Sequence, residues 1–311
     1  MDKKDKIYIA GHNGMVGSSI IKKLKSEGYS NLVYKSSKEL DLRSQKDVNN
    51  FFQIENPQFV FIAAAKVGGI KANIDYPTYF ITDNLLIQTN LILNSFANKT
   101  KKLILFGSSC IYPKDLKKPI KENQIMTGAL EKTNESYSVA KIAGIQMIKS
   151  FNQQYKTKYI CLMPCNLFGP NDSYDLNNSH FLPALVRKIY TASKKKRNKI
   201  AKLWGSGKPL REVLYVDEVA EACEYFLRKK KSPTLINIGS QIEMTIKNYA
   251  YKIRNKIDRS VLIKFDNNKK LDGVKRKKLD ISLAKKNGWK AKMNFNTVID
   301  KTIKDFKKIY K

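Results

Sequence analysis

The sequence predicts an α/β protein with a doubly wound parallel sheet and a smaller, interleaved α+β domain. Two observations carry this prediction. Short apolar runs alternate with helical segments from residue 6 to residue 164, and parallel strands need crossover helices of this kind. Beyond Pro164 the apolar runs become shorter and turns become more frequent, which indicates a change of architecture.

The predicted strands of the larger sheet are almost wholly apolar, as expected for strands that are covered on both faces. The first strand reads Lys-Ile-Tyr-Ile-Ala, and the third reads Phe-Val-Phe-Ile-Ala shortly after Pro57. The full set of predicted strands is 6–10, 32–34, 59–63, 103–106 and 159–163.

Between these strands, apolar residues recur at helical spacing. Pro77 suits the first turn of a long helix, because the missing N–H would have had no partner there. The predicted helices are a first one that ends near 27, then 44–55, 77–98, 134–155, one that ends near 195 and one that ends near 230. Residues 166–172 are predicted to form a loop.

Composition excludes several classes of protein. The chain has 311 residues and is 42% hydrophobic, which is ordinary for a globular protein. No apolar run reaches the ~20 residues that span a bilayer, and the first residues lack the apolar stretch of a signal peptide. We therefore expect a cytoplasmic protein without a membrane partner.

The formal net charge of +32 allows two interpretations. One is a basic surface that binds nucleic acid. The other is a lysine-rich composition on solvated faces, with a ligand that carries phosphates as the specific anion. The lysines are scattered, with small clusters at 194–197 and 228–231, and no nucleic-acid motif accompanies them. The second interpretation is favoured, so no nucleic-acid partner is expected.

Cysteine and histidine usage argues against a metal site. The four cysteines form no Cys-x-x-Cys pair, and the chain has two histidines. A zinc site needs about four such ligands at close spacing, so no metal is expected. Reduced thiols are expected, with Cys161 and Cys223 as small core residues.

A glycine loop between the first strand and the first helix predicts a dinucleotide site. Gly-x-x-Gly-x-x-Gly lets the backbone approach a phosphate, and the N-terminus of the following helix supplies N–H donors. The alternative is a plain tight turn. The residues predicted to contact the cofactor here are Gly11, His12, Asn13, Gly14, Met15, Val16 and Gly17.

The end of the second strand favours NADP over NAD. An NAD enzyme usually places an acid there to bind the ribose hydroxyls. Here the run is Lys35-Ser36-Ser37-Lys38, and the first acid is Glu39. Two lysines and two hydroxyls suit a 2′-phosphate better. The alternative is that these are ordinary loop lysines.

Tyr137 and Lys141 lie four positions apart and so share one face of a predicted helix. An ammonium group beside a phenol favours the phenolate and lowers the phenol pKa. Ser108, at the end of a predicted strand, can bind the same substrate oxygen. The three side chains together can protonate or deprotonate a carbonyl or alcohol oxygen while a hydride moves at its carbon.

These motifs resemble the extended short-chain dehydrogenase/reductase family. Within this family, the branch that acts on GDP-sugars resembles this chain over longer stretches of sequence. The resemblance extends as far as Asn287-Gly288-Trp289. It implies an oxidoreductase and isomerase that converts GDP-4-keto-6-deoxy-D-mannose to GDP-L-fucose by C3/C5 epimerisation and NADPH-dependent C4 reduction. The stretches that carry the resemblance are 10–17, 63–70, 107–113 and 140–145.

The resemblance implies roles for individual residues. Cys110 is the expected base and His180 the expected acid of the epimerisation, beside Ser108, Tyr137 and Lys141 as catalytic groups. The further cofactor contacts implied are Ser37, Lys38, Asp41, Leu42, Phe106, Gly107, Ser108, Ser109, Lys141, Pro164, Cys165, Asn166, Leu167 and His180. The substrate contacts implied are Lys188, Trp204, Arg211 and Asp272. A homodimer is also implied.

The domain organisation follows from the same reasoning. Residues 1–165 are predicted to form a Rossmann-type NADP-binding domain with return segments near 212–240. Residues 166–211 and 241–311 are predicted to form the substrate-binding domain.

The chain departs from the family at Asn13 and Ser37, where arginines are usual, with Lys35, Lys38 or Lys66 as substitutes. Cys165 stands where a threonine is usual.

Two alternatives to this function stay open. One is another NAD(P)-dependent nucleotide-sugar epimerase or dehydratase. The other is a protein without catalysis, either a dinucleotide sensor or a basic protein on nucleic acid.

Overall fold

The computed structural model describes residues 2–176, 179–268 and 272–310. Its strands are β1 Ile7–Ala10, β2 Leu32–Val33, β3 Phe59–Ile62, β4 Lys102–Phe106, β5 Ile160–Pro164, β6 Asn166–Phe168, β7 Ile200–Leu203, β8 Leu210–Tyr215, β9 Leu235–Ile238, β10 Glu243–Thr245, β11 Leu262–Phe265 and β12 Arg276–Lys277. Its α-helices are α1 Met15–Ser26, α2 Gln45–Glu55, α3 Ile70–Asp75, α4 Pro77–Ala97, α5 Glu135–Tyr155, α6 Phe181–Ser193, α7 Val216–Arg228, α8 Ile246–Ile257, α9 Ser282–Lys286 and α10 Phe295–Ile309.

The larger sheet in the described residues has six parallel strands in the order β2-β1-β3-β4-β5-β9. Every residue of β1, β3 and β5 is buried, because helices cover both faces of these strands. The predicted doubly wound parallel sheet is therefore confirmed. The predicted helix starts at Ser44 and Pro77 are also accurate: Ser44 caps α2 by accepting the Asp47 N–H, and Pro77 begins α4.

A second sheet has the order β10-β8-β12, and β6, which begins two residues after β5 ends, pairs with β8. The loop prediction for residues 166–172 is wrong for Asn166–Phe168, which form β6 in parallel register with Val213–Tyr215. A three-residue strand carries too little local pattern to be recognised. Its stability comes from distant partners, since the buried ring of Phe168 packs against Tyr215 and Phe295.

A third sheet pairs β7 with β11, and two apolar cores accompany the three sheets of the described residues. The first surrounds the six-stranded sheet and includes Leu279 and Trp289 from near the end of the chain. The second joins α6, α8 and α10 to the smaller sheets through residues such as Val186 and Phe306. The domain boundaries stay a prediction. Ligands of parallel sheets bind beyond the carboxyl ends of the strands. The region beyond the carboxyl ends of β1, β4 and β5, where the glycine loop and Ser108 follow their strands, is called the cleft below.

Candidate active site

The glycine loop at the end of β1 leaves no room for side chains at two of its positions. Gly11 has a φ of +85°, and a Cβ there would overlap the backbone of Ala64. A Cβ on Gly17 would overlap the Gly11 carbonyl group. The Gly14 N–H donates to the Gly11 oxygen at 3.1 Å, and α1 begins one residue later. This close turn before a helix N-terminus fits the pyrophosphate of a dinucleotide.

The edge beyond β2 fits an adenosine phosphate better than free ribose hydroxyls. Glu39 is occupied within its own turn, because its Oε2 accepts the Ser36 N–H at 2.8 Å and the Ser36 hydroxyl at 2.7 Å. Ser37 and Lys38 are exposed beside it. His12 from the glycine loop stacks on Tyr34 with 4.8 Å between ring centroids.

The other predicted cofactor residues follow the same edge of the sheet. Asp41 forms a two-bond pair with Arg43, and the Leu42 oxygen accepts from Asn90 at 3.0 Å. Lys66 is exposed, and its backbone exchanges two hydrogen bonds with the Asn84 amide. At the ends of β4 and β5, or just beyond, lie Phe106, Gly107, Ser109, Pro164, Cys165, Asn166 and Leu167.

Ser108 and Cys110 are held in a tight turn directly after β4. The Gly107 N–H donates to the Leu162 oxygen at 2.9 Å, which extends the sheet by one residue. Ser108 then caps a short 3-10 helix, Ser109–Ile111, by accepting the Cys110 N–H at 3.3 Å. The Ser138 hydroxyl of α5 donates to the Cys110 oxygen at 3.1 Å. Two distant segments of the chain are thereby fixed to each other.

Tyr137 and Lys141 share one face of α5, as predicted. The Lys141 ammonium lies 5.9 Å from the centroid of the Tyr137 ring. Burial raises the pKa of the Tyr137 phenol well above its usual value, and the Ser108 hydroxyl opposes that shift as a hydrogen-bond partner. Burial also lowers the pKa of Lys141 to about 8. The tyrosine is therefore a protonated donor at neutral pH. The expectation that Lys141 lowers the pKa of this phenol is wrong for the protein without ligand, because burial dominates.

Cys110 sits among cations. The Lys277 ammonium donates to the Cys110 sulfur at 3.6 Å. Burial raises the pKa of this thiol, but the charges of Lys277 and Arg211 and the Ser108 hydroxyl outweigh it, so the net pKa is lowered. His180 is the N-cap residue of α6 and also lies near Lys277. Desolvation of the imidazole and the positive charge of Lys277 both lower the pKa of His180. Lys277 is the residue that the sequence reasoning missed.

The four predicted substrate residues are related to one another by contacts within the smaller domain. The Lys188 ammonium lies 4.2 Å from the centroid of the half-exposed Trp204 ring. The carboxylate of Asp272 accepts the Ser206 N–H at 2.8 Å and its hydroxyl at 2.7 Å. The Arg211 guanidinium donates to the carbonyl oxygens of Leu210, Val274 and Asp272. These bonds fix the direction of the guanidinium.

The glycine loop, the parallel sheet and the Ser108–Tyr137–Lys141 set define an NAD(P)-dependent enzyme of the extended short-chain dehydrogenase/reductase type. The chain belongs to the NAD dependent epimerase/dehydratase family, whose sequence profile matches residues 7–239.

Full-length relatives narrow the comparison. The chain is 44% identical to GDP-L-fucose synthase 1 of Arabidopsis thaliana over 301 residues, which is 97% of this chain and 93% of that protein. It is 41% identical to GDP-L-fucose synthase of Escherichia coli K12, over 92% of this chain and 91% of that one. MlghC of Campylobacter jejuni, a GDP-mannoheptose C4 reductase with NADP bound, superposes with a TM-score of 0.89 at 35% identity, over 99% of both chains.

Two further observations concern other kinds of site. In the described part of the chain, no three His, Cys, Asp or Glu side chains are grouped as metal ligands would be. Within the same residues, no helix has the length and apolarity needed to cross a bilayer.

Proposed function

We propose that this protein converts GDP-4-keto-6-deoxy-D-mannose to GDP-L-fucose, by epimerising C3 and C5 and then reducing C4 with NADPH. The observation that carries the proposal is one cleft with both sets of groups. Cys110 and His180 are proton-exchanging groups of epimerisation, and Tyr137 beside Lys141 is the donor of a ketone reduction. The identity of 41–44% to GDP-L-fucose synthases over most of the chain supports this substrate.

In the epimerisation, the C4 ketone acidifies the protons on C3 and C5. The Cys110 sulfur, as thiolate, takes the proton, the C–H bond breaks, and its electron pair moves into an enolate whose charge rests on O4. Ser108 and Tyr137 are proposed to donate hydrogen bonds to that oxygen. His180, which enters the step as the imidazolium, gives its proton to the carbon on the opposite face and so inverts it. Cys110 then releases its proton to solvent and His180 takes one up, so the same pair acts at C3 and at C5.

In the reduction, Tyr137 gives its proton to O4. The raised pKa of this phenol keeps the proton in place until the oxygen becomes basic. Lys141 orients the ribose of the cofactor and favours the resulting phenolate. When bound, NADPH supplies the hydride to C4. The glycine loop and the Ser37–Lys38 edge are the proposed pyrophosphate and 2′-phosphate contacts.

The nucleotide part of the substrate is assigned to Lys188, Trp204, Arg211 and Asp272. Arg211 and Lys188 are proposed to bind the diphosphate, since a fixed guanidinium and an ammonium suit anionic oxygens. The exposed face of Trp204 and the carboxylate of Asp272 are proposed to contact the nucleoside. Lys188 already lies against the Trp204 ring, so both side chains face the same ligand.

A second candidate is reduction of C4 alone, and the C4 reductase title of a relative at 35% identity favours it. A further alternative is a nucleotide-sugar epimerase or dehydratase that recycles tightly held NAD. The three hypotheses differ in what they consume and release. A stoichiometric demand for NADPH excludes the recycling enzyme, and inversion at C3 and C5 excludes a simple reductase.

The experiment is an NADPH-coupled assay with GDP-4-keto-6-deoxy-D-mannose, repeated with NADH. The proposal expects one NADPH oxidised per sugar and GDP-L-fucose as the product by NMR. A C4-reduced sugar with unchanged C3 and C5 would support the simple reductase instead. Steep, salt-dependent DNA binding without turnover of any GDP-sugar would support a protein without catalysis.

A homodimer and a cytoplasmic location complete the proposal. Helices α4 and α5 pack side by side and leave Leu86, Leu93 and Val139 exposed, and these residues are candidates for contact with a second copy. Light scattering coupled to size exclusion tests the dimer, and Leu93→Lys should shift it toward monomer. The location rests on the sequence alone.

A further inference from the structure

Lys277 lies on β12, a two-residue strand directly beside Arg211 of β8 in parallel register. The side chain that precedes it, Arg276, is occupied elsewhere, since its guanidinium forms a two-bond pair with Glu243 at 2.9 Å. Lys277 instead extends into the cleft, where its ammonium donates to the sulfur of Cys110 at 3.6 Å. This contact is a hydrogen bond from a charged ammonium group to a sulfur atom.

We propose that Lys277 is the positioning residue that keeps Cys110 as a thiolate in the resting protein and so makes the sulfur, rather than the imidazole of His180, ready to remove a proton. The proposal deepens the function proposed above, because it assigns the base through a residue outside the Ser108–Tyr137–Lys141 set.

The charged and titratable groups that act on the sulfur come from three elements. Lys277 approaches from β12, Arg211 from β8 and Tyr137 from α5, whereas His180, at the start of α6, interacts with Lys277. Tyr137 keeps its proton and adds no charge, whereas Arg211 is engaged with three carbonyl oxygens. Lys277 is therefore the cation that touches the sulfur directly. A neighbouring lysine is a recognised cause of low thiol pKa values.

The Lys277 ammonium lowers the pKa of both proton-exchanging groups. It stabilises the negative sulfur of Cys110, and it adds to the desolvation that disfavours a positive imidazole at His180. The charge of Lys277 therefore favours the thiolate form of Cys110 and makes the His180 imidazolium, once formed, a readier proton donor. When Cys110 takes the carbon proton, the negative charge leaves the sulfur and moves to O4 of the enolate, while Lys277 stays beside the sulfur.

The test reads the thiol directly and needs no substrate. Among the four cysteines, Cys110 is partly exposed, whereas Cys161, Cys165 and Cys223 are buried. The rate of alkylation by iodoacetamide, followed against pH by mass spectrometry, therefore reports on Cys110. For the wild-type protein we expect a midpoint below the pKa of about 8.5 of a free cysteine. A midpoint at or above that value would overturn the proposal without any variant.

Variants assign the effect to this lysine. Lys277→Met should raise the midpoint by at least about one pH unit, which is a roughly tenfold loss of alkylation rate at neutral pH. Lys277→Arg should keep the midpoint near that of the wild type. The matched control is Lys275→Met, which removes the same charge from an exposed position two residues away. Equal shifts in Lys275→Met and Lys277→Met, or none in Lys277→Met, would contradict the proposal.

The readout separates this inference from the proposed function. A protein that turns over no GDP-sugar but shows the Lys277-dependent midpoint would lose the proposed function and keep the thiolate. Normal turnover of the GDP-sugar, together with an alkylation midpoint that does not depend on Lys277, would keep the proposed function and exclude this role of Lys277.

Discussion

The hydroxyl of Ser138 donates a hydrogen bond to the carbonyl oxygen of Cys110, with 3.1 Å between the two oxygens. Ser138 follows Tyr137 in the first turn of α5, and Cys110 lies in the turn after β4 that also presents Ser108. The bond therefore connects the proposed base of the epimerisation to the helix that carries the proposed proton donor of the reduction. Residues that are 28 positions apart in sequence are held as one unit.

Removing this bond should loosen both halves of the site. Ser138→Ala leaves the Cys110 carbonyl without that donor and should lower the free energy of unfolding by about 1 kcal/mol. We also expect a lower kcat, because the bond joins the turn that carries Ser108 and Cys110 to the helix that carries Tyr137. Urea unfolding and steady-state kinetics measure the two effects. Ser150→Ala, at an exposed position on the same helix, is the control, and an unchanged kcat would limit the bond to a structural role.

Cys110→Ser should damage proton exchange at C3 and C5 far more than hydride transfer. A serine hydroxyl is a much weaker acid than the thiol, so the base is lost while Tyr137 and Lys141 stay in place. We expect deuterium exchange at the two carbons to slow by about 100-fold or more. NMR follows the exchange, and NADPH oxidation with the already epimerised keto-sugar follows reduction. Wild-type exchange in the variant would remove Cys110 from the mechanism, and Cys223→Ala is the control for general loss of a thiol.

Tyr137→Phe should abolish reduction and spare cofactor binding. The variant keeps the ring that packs edge-on against Phe80, with 6.3 Å between centroids, and loses the phenolic proton. We expect the rate of hydride transfer to fall by about 10²–10⁴. The Kd for NADPH, measured by fluorescence, should change by less than about threefold. If reduction persists, another proton donor must act on O4.

The exposed pair Ser37 and Lys38 should decide the preference for NADPH. Lys38→Ala should weaken NADPH binding by about tenfold, which is roughly 1.4 kcal/mol, and leave NADH binding unchanged. Ser37→Arg should strengthen NADPH binding, since a guanidinium forms paired bonds to a phosphate. Calorimetric titration of both cofactors measures the effect. Equal losses for NADPH and NADH in Lys38→Ala would show that the lysine does not contact the 2′-phosphate.

Asp172 should make the stability of the folded protein depend on pH. Burial raises its pKa to about 7, whereas an unfolded chain has about 3.9. Its ionisation is thus penalised in the folded state, and stability falls as the pH rises from about 4 to about 7. Asp172→Asn removes this cost, so the variant should become more stable than the wild type over that window, by about 2 kcal/mol at pH 8. Thermal unfolding at several pH values measures it, and a constant difference at all pH values would contradict the assignment.

Much of the larger sheet could be predicted because its signals are local. The apolar runs of β1 and β3, the glycine loop and the proline at the start of α4 are each readable within a few residues. The placement of Tyr137 and Lys141 on one helix face follows from their spacing alone. Ser44, where a helix was predicted to begin, is the N-cap residue of α2.

What could not be predicted depends on residues far apart in the sequence. The strand Asn166–Phe168 exists because it pairs with β8, and the sequence analysis assigned no helix to the stretch that forms α3. Lys277 is one basic residue in the run Lys275-Arg276-Lys277-Lys278. The register of β12 against β8 singles it out, and no pattern in the sequence contains that register.

One measurement tests the central claim most directly: the protein, NADPH and GDP-4-keto-6-deoxy-D-mannose are mixed in deuterated water, and the product is examined by NMR. We expect GDP-L-fucose with deuterium on C3 and C5, protium from NADPH on C4, and one NADPH oxidised per sugar. A reduced sugar without deuterium at C3 and C5, or an unchanged keto-sugar beside unspent NADPH, would contradict the account.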